Sequence, residues 1–115
     1  MSEDFHYTDL SYLEEISGGD QSFINEIIEL FVKQMPKSVE NMREALKNND
    51  PVTIGETAHK AKPSAIYVGN KTLEQDLRTL QELKSTNTIG EDTASLVDRV
   101  AAESERVIAE LQSRQ

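Results

Sequence analysis

Apolar residues recur at every third or fourth position along almost the whole chain, and no stretch alternates with a period of two. That spacing lines them up on one face of successive α-helices and predicts an all-α domain. A short first helix is expected over Leu10 to Ile16, with Asp9 as its cap and Gly18-Gly19 as its end. Asp20 should cap a long second helix whose apolar face runs through Phe23, Ile24, Ile27, Ile28, Phe31, Met35, Val39, Met42 and Leu46. Pro36 lies inside that run and should bend it, because its ring clashes with the preceding turn. Asn48-Asn49-Asp50-Pro51 then stops one helix and starts another: Asp50 can cap, and proline suits the first helical position, where a missing N–H costs nothing. The third helix is expected to run on to Gly69. Asn70 or Thr72 opens a fourth, with Leu73, Leu77, Leu80 and Leu83 as its seam. Residues 85–90, STNTIG, read as a loop. The last helix, from about Asp92 to Leu111, carries Leu96, Val97, Val100, Ala101, Val107, Ile108 and Leu111 on one face, with Ser104 as its polar gap. Four long amphipathic helices joined by short turns predict an antiparallel four-helix bundle, with the short additional N-terminal helix lying across one end.

Length and charge narrow the class of function. At 115 residues the chain is expected to be one domain over 1–115, with its core at about 8–112. A formal net charge of −9 argues against nucleic acid or an anionic membrane as partner, since both require a basic surface. Without cysteine there is no disulfide, thiolate metal site or cysteine nucleophile. The opening MSEDFHYTDL is acidic where a secretory signal is basic and then apolar, and no apolar run approaches the roughly 18 residues of a membrane span, so a cytoplasmic protein is expected. The initial methionine and the length favour a free-standing chain over a fragment of a hybrid kinase. Metal binding is poorly supported, because His6 and His59 are the sole histidines and no His-x-x-x-His pair exists. Neither a nucleophile elbow nor a Gly-rich phosphate loop is present to support hydrolysis or ATP binding.

The candidate chemistry lies in AHKAKPSAIYVG, residues 58–69, where a proline interrupts a helical pattern. On the third helix Ile54, Ala58, Ala61, Ala65 and Val68 fall in a sector of about 60° that must face the core. His59 then lies roughly 150° from the centre of that sector, Ile66 about 130° and Lys62 roughly 90°, so the histidine points outward. Gly55 is one turn before it and Lys62 one turn after it. An exposed imidazole can attack phosphorus through a ring nitrogen, and a lysine one turn away offsets the charge of the product. The plain alternative is a surface histidine among solvated lysines, Lys60 and Lys62. Pro63 removes the N–H that would bond the His59 carbonyl, giving either a kinked continuous helix or a stop with a restart at Ser64. Because the alanine face keeps its phase on both sides, we expect the continuous helix.

With His59, Lys62, Ser64 and Gly69 in register, the stretch resembles the signature of histidine-containing phosphotransfer domains, His-x-x-Lys-Gly-Ser with a glycine ten residues after the histidine. The resemblance extends from about Tyr7 to Leu111 and takes in the FINEIIELFV segment and the NNDP turn. It implies a helical bundle whose His59 accepts a phosphoryl group from a receiver-domain aspartyl phosphate and passes it to another receiver, with Lys62 as charge neutraliser. It further implies a glutamine near the phosphohistidine, and Gln81 stands 22 positions after His59, where it would be expected. The chain would be a phosphoryl carrier and not an enzyme, a monomer binding no cofactor itself, with Mg²⁺ on the partner receiver of a hybrid kinase or response regulator. Pro63 departs from the family's glycine and bears on how closely a receiver approaches. The expected docking surface comprises Gly55, Lys60, Pro63, Ser64 and Ile66, with Lys33 and Gln34 of the second helix. The rival expectation is a helical adaptor that binds a signalling partner without being phosphorylated.

Overall fold

The computed structural model describes residues 7–113, all of whose regular structure is helical: α1 (Ser11–Ser17), α2 (Gln21–Lys47), α3 (Pro51–Tyr67), α4 (Lys71–Gln81), α5 (Leu83–Thr86) and α6 (Thr93–Ser113). The four long helices close a ring in which α2 packs on α3, α3 on α4, α4 on α6 and α6 back on α2. Short turns join α2 to α3 and α3 to α4, and a longer connection that contains α5 joins α4 to α6, making an antiparallel four-helix bundle with α1 laid against α2. The 27 residues of α2 span about 40 Å at 1.5 Å per residue, which sets the long dimension of the 44 × 26 × 19 Å molecule.

Local chemistry places most boundaries. The carboxylate of Asp20 accepts from the backbone N–H of Ser22 and Phe23, and that of Asp50 from Thr53, so each satisfies N–H groups that the first helical turn leaves unpaired. Thr53 also donates its hydroxyl to Asp50, and these two bonds hold the Asp50 carboxyl below its usual pKa. Asn70, not Thr72, opens α4: its amide oxygen accepts from Leu73 N–H at 2.8 Å. α1 begins one residue later than expected; Leu10 is the capping position, and Asp9 accepts from Ser11 N–H from one residue further back. Both internal prolines, Pro36 and Pro63, are accommodated within helices that continue past them. α3 ends at Tyr67, and Gly69 follows in the left-handed region with φ of +71°.

Three expectations need correction. The fourth helix does not run on to Leu83: it ends at Gln81, and Glu82 leads into the separate short helix α5, so Leu83 is half-buried outside the α4 seam. Residues 85 and 86 accordingly belong to α5 and not to a loop, which begins at Asn87 with its φ of +54°. On α2, Phe23 is exposed and Leu46 only half-buried, while Ala45 joins the core. The α3 sector is as the wheel has it, since Ile54, Ala58, Ala61, Ala65 and Val68 are all buried.

One buried carboxylate works against stability. Asp76 of α4 is buried, its Oδ1 lies 3.2 Å from Arg99 of α6, and its Oδ2 has no hydrogen-bond partner among the described residues. Burial pushes its pKa above the usual 3.8, with Arg99 opposing and Glu103 reinforcing the shift. A raised folded-state pKa means that ionisation costs more in the folded than in the unfolded chain. The stabilising effect of protonation is fully present below the unfolded pKa of 3.8 and is lost as pH rises through the folded value. Asp76→Asn should therefore raise stability at pH 7 by about 1 kcal/mol. The gain should shrink towards zero as pH falls to about 3, which thermal melts across that range would show.

Candidate functional site

His59 stands on the outer face of α3 and is exposed, as the helical wheel requires. Its Nδ1 lies 3.1 Å from Oε1 of Gln81, the last residue of α4. With an amide oxygen as the partner, Nδ1 carries the hydrogen and donates it, which leaves Nε2 with a free lone pair. Nε2 has no hydrogen-bond partner among the described residues. One ring nitrogen of an exposed histidine is thus engaged, and the other is without a partner among the described residues.

Lys62, three residues on, shares this side of the helix and is half-buried. Among the described residues no carboxylate pairs with its ammonium, although Asp and Glu outnumber Lys and Arg by 21 to 12 in the chain. Lys62 thus stands about one turn from His59 with no carboxylate partner among the described residues. Lys60 and Pro63 are exposed, and Ser64 is half-buried. Because Pro63 has no N–H, the His59 carbonyl lacks its usual intrahelical donor.

Towards the C-terminal end of α3, Ile66 is 36% exposed and lines a cleft of about 400 Å³ with Tyr12 and Glu15 of α1 and Lys71 and Glu74 of α4. Tyr12 stacks on Tyr67 with ring centroids 6.2 Å apart. This aromatic on the rim was not singled out from the sequence; its place out of phase with Leu10 and Leu13 was the available signal, but only the packing of α1 brings it to Ile66.

Two expected docking residues lie elsewhere. Gly55 is buried, not open to an approaching partner: a Cβ there would come within 2.7 Å of Lys84 Cβ and 2.8 Å of its Cα. The helical wheel could not show this, because α5 was not anticipated. Lys33 lines a groove with Val32, Glu29 and Gln112 of α6, which places it on the α6 side of α2 and away from α3. Gln34 is exposed on α2. Among the described residues no cluster of three or more histidine, cysteine or carboxylate side chains is placed to hold a metal ion, and His6 lies outside them. Likewise no described helix is long and apolar enough to cross a membrane.

On the face of this bundle an exposed histidine of one helix and a glutamine at the end of the next stand in hydrogen-bond contact. The Hpt domain family matches residues 26–113, and the chain belongs to that family, whose function is phosphotransfer in two-component signalling. Its fold is similar to that of histidine-containing phosphotransfer protein B from Pseudomonas aeruginosa PAO1, with a TM-score of 0.81, 18% identity and 96% of each chain covered. Compared with the curated proteins, the chain finds no match.

Proposed function

We propose that this chain is a phosphorelay intermediate in which His59 takes a phosphoryl group from the aspartyl phosphate of one receiver domain and delivers it to the aspartate of another. The observation that carries this is the pairing of His59, an exposed residue, through Nδ1 with Gln81 Oε1 at 3.1 Å, which leaves Nε2 without a partner among the described residues. In the forward step the Nε2 lone pair forms the N–P bond while the P–O bond to aspartate breaks, and aspartate leaves as a carboxylate with that electron pair. The ring gains positive charge as the bond forms, and the Gln81 oxygen stabilises that charge through Nδ1–H. Delivery to the second receiver is the same step reversed.

Lys62 offsets the charge of the phosphoryl oxygens, and the receiver supplies Mg²⁺ and most of the transition-state stabilisation. The protein acts as a carrier and not as an enzyme, a monomer working in the cytoplasm, with the Ile66 cleft and its Tyr12 rim as part of the surface that meets the receiver. Lys60, Pro63, Ser64 and Gln34 flank that surface. Lys62→Ala should slow phosphoryl transfer by about tenfold, less than the loss of a donor inside a closed site, because this site is open to water. Stopped-time labelling from a phosphorylated receiver measures that rate.

The test of the function is incubation with phosphorylated receiver domains and Mg²⁺. The protein should acquire label that is lost in acid and kept in alkali, as a P–N bond requires. No transfer from any receiver that binds would instead favour a helical adaptor that needs the bundle and the Ile66 surface but not His59, and label stable to acid would put the phosphate on a hydroxyl side chain, against both readings.

A further inference from the structure

Gly55 occupies the interior of α3 with ordinary helical geometry, so nothing about its own backbone calls for glycine. At such a position glycine is about 1 kcal/mol less favourable than alanine. What the position does require is space, because the backbone and Cβ of Lys84 lie where a side chain would begin. α5 therefore rests directly on α3, and only Glu82 and Leu83 separate Lys84 from Gln81. The link is stiff: Glu82 is in the right-handed helical region, its N–H donates to Thr79, and its carbonyl accepts from both Ser85 and Thr86. Along the antiparallel pair, Lys84 lies over Gly55 and Gln81 lies over His59 one turn further on.

We propose that Gly55 is a positioning residue for His59: by admitting α5 onto α3 it sets the height of the end of α4, and so aims the Gln81 oxygen at Nδ1 and keeps Nε2 the bare nitrogen. The consequence for transfer rests on His59 being the phosphoryl acceptor, as proposed above; the consequence for the ring does not. A Cβ at residue 55 cannot be accommodated by moving a flexible side-chain tip, since the atoms it meets are backbone and Cβ. α5 has to lift, and Gln81 has to lift with it. His59 would then be free to exchange its ring proton between the two nitrogens, and the lone pair would no longer be confined to Nε2.

The test is Gly55→Ala, with circular dichroism to establish the fold and ¹⁵N NMR of the imidazole to read which ring nitrogen is protonated. The wild type should show Nδ1 protonated and Nε2 bare at a pH where the ring is neutral, and Gly55→Ala should show a mixture. Transfer from phosphoramidate, in which the N–P bond to His59 forms as the donor's P–N bond breaks and ammonia leaves, should fall about tenfold. Gln81→Leu should lower it similarly, and adding Gly55→Ala to Gln81→Leu should lower it no further, because both act through one contact. Should Gly55→Ala fail to fold, Leu83→Ala takes its place: it loosens α5 from the core without placing an atom on α3, and it too should mix the tautomers. Wild-type ring shifts in the folded variant would overturn the proposal, as would additive losses in the double variant. If the wild type takes no acid-labile label from any phosphorylated receiver that binds it, the acceptor role of His59 falls, while the ring shifts still decide the role of Gly55.

Discussion

His59→Gln is expected to carry no acid-labile phosphate above background while melting within a few degrees of the wild type. Both halves follow from where the residue sits. The side chain is exposed on α3 and among the described residues its sole side-chain hydrogen bond is with Gln81, so its removal opens no cavity and leaves no buried group stranded. Exposed substitutions of that kind stay within about 0.5 kcal/mol, and glutamine is a good helix former. An amide has no basic lone pair to attack phosphorus, whereas Lys60 and Lys62 carry their nitrogen as ammonium and are not nucleophilic in that form. His6 is the sole other imidazole in the sequence. The measurement is label recovered from a phosphorylated receiver under alkaline and acid work-up, beside a thermal melt. Equal labelling of variant and wild type would remove His59 from its role. Loss of label with loss of folding would contradict the claim that the site is built on the outside of the bundle.

The outward placement of His59 was legible in the sequence because it depends on one helix alone. Periodicity fixes which way Ile54, Ala58, Ala61 and Ala65 point, and the histidine's direction follows with no knowledge of the neighbours. The caps at Asp20 and Asp50 were legible for the same reason, since an N-cap side chain bonds N–H groups two or three residues away. Gln81 was reached only through family resemblance: nothing in the spacing of 22 residues tells that the end of α4 returns to the middle of α3. Gly55 was misplaced because its surroundings are tertiary. A glycine on the flank of a helix looks like an opening until a second backbone is found resting on it. Lys33 failed in the same way, since the side of α2 on which it falls depends on where α3 and α6 pack. The break between α4 and α5 carries no proline or glycine to announce it, so an unbroken leucine seam was the simpler pattern.

Gly69→Ala is expected to destabilise the protein by about 2–3 kcal/mol and to lower its melting temperature by about 10 °C. Two independent costs meet at this residue. Its φ of +71° is left-handed, a conformation that costs any residue with a Cβ about 1–2 kcal/mol. A Cβ there would also lie 2.8 Å from Asp9 Cβ and 2.9 Å from the Asp9 carbonyl carbon, and closer to its oxygen. The segment before α1 cannot simply move aside. Asp9 N–H donates to the Val68 carbonyl at 2.8 Å, Asn70 donates to the Tyr7 carbonyl at 2.9 Å, and Glu110 of α6 accepts from Tyr7 N–H and the Thr8 hydroxyl. Moving the Asp9 backbone clear of a Cβ that would lie well inside contact distance of its carbonyl oxygen would strain that set, with about 1 kcal/mol at stake for each bond lost. The glycine ten residues after His59 is thus explained by the α3–α4 turn closing under the N-terminal segment, with no part in the chemistry. Transfer from phosphoramidate by folded Gly69→Ala should accordingly match the wild type below the melting transition, and a large rate loss there would show that the turn reaches His59 after all.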